Sequence, residues 1–197
     1  MQKIVLASNN AGKLKEFAHL LSPFELQIIA QGELNVPECP EPYGTFVENA
    51  LAKARHAAKI TGLPALADDS GLCVHALGGA PGVYSARYAG EPKSDERNNA
   101  KLLTELAGQS DRRAWYYASL VLVRSEHDPQ PLIADGVCVG EIAQVAQGAG
   151  GFGYDPLFWL PQLNKTVAQI THEEKSQISH RAKALKSLIA KLQETGL

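Results

Sequence analysis

Asp68 and Asp69 are neighbouring carboxylates, followed by Ser70 and Gly71 and preceded by the small apolar run Ala65-Leu66-Ala67. Consecutive residues of an extended segment point to opposite sides. One carboxylate can therefore face a ligand while the other braces its surroundings. Strand ends in α/β sheets are where ligands bind, and Mg²⁺ takes one or two carboxylates together with waters and phosphates. The competing reading is a polar turn, since Asp, Ser and Gly all form turns.

Three further clusters carry chemistry. Ser8-Asn9-Asn10-Ala11-Gly12-Lys13 lies between an apolar run and a helical pattern. Amides at a helix start plus a lysine make an anion site. The stretch is no P-loop, because the first glycine is missing and Leu14 stands where a hydroxyl should hold the metal; an ordinary strand-to-helix loop is the alternative. Residues 148–156 contain a literal G-x-G-x-x-G, but Pro156 and a strand-like run follow instead of a helix, which excludes a dinucleotide fold. Glycines around Phe152 and Tyr154 suit an aromatic slot for a flat ligand, with a plain hairpin loop as the alternative. Finally, Lys175, Ser179, His180 and Arg181 place cations near a helix start, where acids are the norm, and so suggest an anionic partner, against a merely solvated helix end. Metal carboxylates, an anion loop, an aromatic slot and a basic cluster together describe a metal-dependent enzyme acting on nucleotide phosphates.

These residues need elements to hold them. The pattern predicts a strand over 3–8, a helix over 13–21 stopped by Pro23, and a strand over 26–31. Such a β-loop-α-β opening argues for an α/β core with parallel pairing. Thr45 and Glu48 form a capping box, each side chain bonding a backbone amide, for a helix ending at Gly62. Its apolar stripe is Val47, Ala50, Leu51, Ala54, Ala57 and Ala58, with Asn49, Lys53 and His56 on another face. A short strand covers 65–67, and 72–76 continues extended. Residues 78–87 read as loop, and Ser94 caps a helix to about 106, with Asp95 and Glu96 in its positive first turn. A long strand over 113–124 returns over 132–147, broken near Gly136 or Gly140. A short strand covers 157–160, Thr171 and Glu174 cap a short helix, and a last amphipathic helix starts near Ser179.

Composition limits the options. The chain has 197 residues, 45% hydrophobic, which suits one compact domain or two joined lobes. A formal net charge of −2 excludes a basic nucleic-acid binder. No apolar run reaches the roughly 20 residues of a membrane helix, and the start reads as a strand and not a signal peptide. Three scattered cysteines, Cys39, Cys73 and Cys138, suggest a reducing, cytoplasmic setting without disulfides or a zinc site.

At these same residues the chain resembles the inosine triphosphate pyrophosphatase family, the RdgB-type enzymes acting on non-standard purine nucleotides. Ser8–Lys13 resembles its [ST]-x-N-x-x-K loop, and Thr45-Phe46-x-Glu48-Asn49-Ala50 with Lys53-Ala54 its T-F-x-E-N-A-x-x-K-A helix. Ala67–Leu72, Gly78–Tyr88, Gly151–Pro156 and Glu174–Arg181 resemble A-D-D-S-G-L, G-G-x-P-G-x-Y-S-A-R-[YF], G-F-G-Y-D-P and E-K-x-x-x-S-H-R. One departure is Cys39-Pro40-Glu41-Pro42-Tyr43-Gly44, where Pro40 replaces an acid. Glu41 stays in register as the metal-side carboxylate, with Glu38 and Glu48 as substitutes.

The resemblance implies an α/β fold: an elongated, twisted mixed sheet with flanking helices, two lobes around an active-site cleft, and a single domain over 1–197. It implies hydrolysis of ITP, dITP and XTP to the monophosphate and pyrophosphate, and a homodimer. Asp69 and Glu41 would hold Mg²⁺, or Mn²⁺ in its place. Asp69, Asp68, Lys53 and Glu41 would be catalytic, with Asp69 the base. Ser8, Asn9, Asn10, Ala11, Gly12, Lys13, Ser70, Phe152, Gly153, Tyr154, Asp155, Lys175, His180 and Arg181 would bind substrate. Among these, Phe152 and Tyr154 would flank the base, and His180 and Arg181 would donate to its 6-oxo group. Two rival readings are a pyrophosphatase for another modified nucleotide and a non-catalytic nucleotide-binding protein.

Overall fold

A computed structural model of the chain describes residues 2–21 and 26–195. Pro23, the expected helix stop, lies outside the described residues. The main elements are β1 (Gln2–Leu6), α1 (Ala11–Leu21), β2 (Leu26–Ala30), α2 (Phe46–Thr61), β3 (Ala65–Val74), α3 (Asp95–Glu105), β4 (Arg113–Val123), β5 (Leu132–Ile142), β6 (Phe158–Leu160), β7 (Lys165–Thr166), α4 (His172–Ile178) and α5 (His180–Thr195). The strands form a seven-stranded sheet in the order β2-β1-β3-β4-β5-β6-β7. It is mixed: β1 pairs in parallel with β2 and β3, while β6 runs antiparallel to β5 and β7. This is the expected α/β class. Among the described residues no helix is long and apolar enough to cross a membrane.

The chain divides into two compact units. The first holds Met1–Asp69, Ala118–Gly136 and Arg181–Leu197. Strand alternation gives it two cores. Ile4, Leu6, Leu66, Leu120 and Leu122 pack with Phe17 and Leu21 of α1 and with Ala184, Leu185 and Leu188 of α5. Val5, Ala65, Ala67, Val121 and Val123 pack with Ala50, Ala54, Ala57 and Ala58 of α2. The alanine stripe of α2 lets that helix lie close to the sheet. Thr45 caps it by accepting from the Glu48 amide, and Gly62 ends it at a φ of 66°. The capping box is only half formed, because the Glu48 carboxylate accepts from the Thr45 hydroxyl at 2.5 Å instead of from a backbone amide.

The second unit holds Ser70–Tyr117 and Val137–His180. Its core joins Leu72, Val74, Ala114, Tyr116, Cys138 and Ile142 to Leu102 and Leu106, at the C-terminal end of α3, and to Leu157, Phe158 and Leu160. Burial pushes the Cys73 thiol up to about 11, and among the described residues none of the three cysteines forms a disulfide.

Two expected breaks are absent. β3 runs without interruption through Asp68-Asp69-Ser70-Gly71, which overturns the polar-turn reading. Leu72 and Val74 are buried beyond the acidic pair, and that burial outweighs local turn preference. β5 likewise passes through Gly136 and Gly140 and ends at Ile142. A Cβ on Gly140 would lie 2.4 Å from the Trp159 carbonyl oxygen and 2.6 Å from the Phe158 ring. The glycine permits close pairing with β6 and does not break the strand.

Candidate active site

On β3 the even positions share a side with Leu66 and the odd positions with Ala65 and Ala67. Asp68 therefore faces the α1 and α5 side, and Asp69 the α2 side. Their partners follow from this. Lys13 Nζ lies 2.8 Å from Asp68 Oδ2, and Arg181 Nε donates to the same oxygen at 3.1 Å. Arg181 also reaches Glu16 Oε2 at 2.7 Å. Burial would push the Asp68 carboxyl up, but Lys13 and Arg181 outweigh it and hold the group well below the usual carboxylate range. Burial pulls the Lys13 ammonium below its ordinary value even against Asp68. Asp68 is thus a buried counter-charge to Lys13 and Arg181, at 1% exposure.

Lys13 is aimed by the start of α1. Its amide donates to Asn10 Oδ1 at 3.0 Å, and the Asn10 amide donates to Ser8 Oγ at 3.2 Å. Asn9, Asn10 and Ala11 are exposed there, with Ser8 and Gly12 half-buried.

Asp69 sits in a different network. Lys53 Nζ lies 2.8 Å from Asp69 Oδ1, 2.7 Å from Glu41 Oε1 and 2.9 Å from the Asp68 carbonyl oxygen. Burial raises the Asp69 carboxyl above its ordinary value; Lys53 opposes the shift and Glu41 reinforces it. Burial works against the Lys53 charge, but Asp69 and Glu41 hold its ammonium above the ordinary value. The structure thus brings Glu41 to Asp69, whereas Glu38 is exposed and Glu48 is engaged by Thr45.

The strap carrying Glu41 is fastened by residues that the sequence reading placed on α2 without a role. Asn49, 1% exposed, accepts from the Tyr43 amide and donates to the Tyr43 carbonyl, both at 3.1 Å, and to Asp69 Oδ2 at 3.4 Å. His56 Nε2 meets the Pro37 carbonyl at 3.0 Å. Their spacing with Lys53 puts all three on one helix face, a signal that was legible in advance. Ser70 follows Asp69, half-buried. Glu41 and Asp69 converge on a single cationic group, and two carboxylates suit Mg²⁺ when phosphates and water complete its shell. Among the described residues no group of three or more His, Cys, Asp or Glu could hold a metal by protein ligands alone.

The second unit holds the remaining candidates. Asp155 Oδ2 accepts from Lys175 Nζ at 2.8 Å and from the Phe152 amide at 3.1 Å, and Oδ1 accepts from the Tyr116 hydroxyl at 3.2 Å. Lys175 also lies over the Phe152 ring, 4.9 Å from its centroid. A small pocket is lined by Tyr116, Asp155, Lys175, Ser179, His180 and neighbouring apolar side chains. Tyr116 and His180 stack with centroids 4.8 Å apart and planes at 14°.

Two expected site residues sit elsewhere than expected. Tyr154 does not form an aromatic wall with Phe152: its ring is in the core at 4% exposure, and its hydroxyl donates to the Ser85 carbonyl at 2.8 Å. Tyr116 lines the pocket instead, and only its alternation on β4 hinted at burial. Arg181, expected beside His180 as a reader of the base, is buried at 4% with its guanidinium turned to Asp68 and Glu16.

Comparison with known proteins places these residues in a family. The Ham1 family profile matches residues 4–191. A protein of Chromobacterium violaceum named dITP/XTP pyrophosphatase is 62% identical over 190 residues, 96% of each chain. One of Nitrosomonas europaea with the same name is 61% identical over 194 residues, 98% of this chain and 96% of its own. The solved structure of a HAM1 protein from Coxiella burnetii superposes with a TM-score of 0.91 at 50% identity, covering 98% of this chain and all (100%) of that one. The Staphylococcus aureus Ham1 protein gives 0.87 at 43% identity, covering 98% and 100%.

Proposed function

The chain belongs to the Ham1 family, and from that premise we propose that it hydrolyses the non-standard purine nucleotides ITP, dITP and XTP to monophosphate and pyrophosphate. Relatives named dITP/XTP pyrophosphatase, 61–62% identical over nearly the whole chain, support this reading. Within the molecule, one observation carries it: the buried Asp69 carboxylate, shared through Lys53 with Glu41.

Asp69 is the general base. Burial raises its proton affinity, and a base gains from a value nearer to working pH. Lys53 orients Oδ1 and Asn49 steadies Oδ2, so the carboxylate meets the attacking water in one pose. Glu41 and Asp69 are the residues that would hold Mg²⁺, or Mn²⁺ in its place. When bound, the ion would neutralise charge developing on the phosphate. Lys13, Lys53 and the amides opening α1 carry the positive charge for the triphosphate. At the base end, Phe152, Lys175 and His180 remain as contacts, with His180 the donor to the 6-oxo group. Adenine has an amino group there and would leave that donor unpaired.

The homodimer and a cytoplasmic setting belong to the same proposal. Exposed apolar side chains on one sheet face of the second unit support the dimer: Val137 and Val139 are 38% and 68% exposed, with Trp115 and Tyr117 half-buried. Pyrophosphate release from ITP, dITP, XTP, GTP and ATP, with Mg²⁺ and with excess EDTA, tests the function. Turnover of the first three that EDTA abolishes is expected. Equal turnover of ATP, or full activity in EDTA, contradicts the reading.

A further inference from the structure

Gly153 is gripped from outside its own loop. Its amide donates to Asp95 Oδ2 at 2.7 Å, and its carbonyl accepts from Asn99 Nδ2 at 2.9 Å. Asp95 and Asn99 are four residues apart on α3, so they present side chains one turn apart on the same face. Both polar groups of this one residue are thereby held by one rigid helix. The orientation of the Asn99 amide follows from chemistry, since only its nitrogen can serve a carbonyl. Gly153 has a φ of 62°, in the left-handed region that favours glycine. It directly follows Phe152, whose amide is fixed from inside the loop by Asp155.

We propose that Asp95 and Asn99 are positioning residues for base recognition: a two-point clamp from α3 that fixes the Phe152–Asp155 segment before substrate arrives. The inference rests on the function proposed above, in which that segment contacts the base. Neither residue needs to touch the nucleotide. A glycine-rich segment has much conformational freedom to lose on binding. Holding it in its bound form removes that cost from the binding step, so the benefit falls on affinity and not on chemistry. Asp95 also lies in the first turn of α3, where a negative charge favours the helix by itself. The two roles separate by substitution. Asp95→Asn loses the charge but keeps an acceptor for the Gly153 amide. Asn99→Asp keeps the shape but turns an acceptor toward the Gly153 carbonyl.

The test measures kcat and KM for dITP, and hydrogen exchange at the Gly153 amide, in the full chain and in Asp95→Ala, Asp95→Asn, Asn99→Ala and Asn99→Asp. Asp95→Ala, Asn99→Ala and Asn99→Asp should raise KM about tenfold, the worth of about one hydrogen bond, with kcat nearly unchanged. Gly153 exchange should accelerate in Asp95→Ala, while Asp95→Asn stays close to the parent in KM and exchange. Parental dITP turnover with KM unchanged in every variant overturns the clamp alone. So does damage in Asp95→Asn equal to that in Asp95→Ala while Asn99→Asp is harmless, because the helix-start charge then accounts for everything. A parent that leaves dITP intact overturns the proposed function, and this role with it.

Discussion

Two adjacent acids of one strand have opposite fates because of strand parity. Asp68 points to Lys13 and Arg181 and is neutralised, whereas Asp69 points to Lys53 and Asn49 with Glu41 beside it. Asp69→Asn keeps the shape and removes the basicity, so kcat should fall about 10²–10⁴-fold, the usual worth of a general base. Circular dichroism should show the fold unchanged, and near-parental kcat would exclude Asp69 as the base. Arg181→Ala acts differently. It removes a partner from a buried charge pair, which costs about 3–5 kcal/mol. Denaturant unfolding should show that loss. Unchanged stability with a lower ITP-to-ATP ratio of kcat/KM would instead restore Arg181 as a reader of the base. The acid limb adds a signature. Asp68 titrates below its ordinary value when folded, so its stabilisation is complete above the ordinary carboxylate range, near pH 4. It is lost as pH falls from there toward the depressed folded value. Without Arg181 the depression is smaller, so the fall in stability on acidification should be shallower in the variant than in the parent.

At the level of elements, helices were legible where caps and stripes coincided, and strand breaks were not. Thr45, Gly62, Ser94 and Thr171 all cap where expected. Local chemistry fixes a cap, so the signal is present in the sequence. β3 and β5 were misjudged at Asp68–Gly71 and Gly140 because turn preference is local, while their continuity comes from burial beyond the polar or glycine residues. The same limit explains the site. Lys53 and Asn49 share a helix face and could be read from spacing, whereas the pairing of Arg181 with Asp68 joins residues 113 apart in sequence, which no periodicity reveals. Gly140→Ala tests the element-scale account. Its Cβ would meet backbone and ring atoms of β6 that cannot move aside cheaply, so a loss of about 1–3 kcal/mol is expected. An unchanged denaturation midpoint would mean that β6 slides freely and the glycine has no packing role.

For the whole molecule, each unit has its own core, and in the second unit the outward positions of β5 are exposed among the described residues. Inward positions of β4 and β5, such as Ala114, Tyr116, Cys138 and Ile142, are buried. The alternate positions Val137 and Val139 are exposed, with Trp115 and Tyr117 half-buried. β-branched and aromatic side chains on an exposed sheet face suit a second copy of the chain, because a two-fold interface can be built from one self-complementary patch. Val139→Asp separates the monomer from the dimer. The side chain is 68% exposed within one chain, so a carboxylate there should cost the monomer fold no more than about 0.5 kcal/mol. In a closed interface two such carboxylates would lose water and face apolar neighbours, a penalty of several kcal/mol. Sedimentation velocity should therefore show a dimeric parent and a monomeric variant with an unchanged circular dichroism spectrum. A dimeric variant would place the interface on another face, and a monomeric parent would remove the dimer from the proposal.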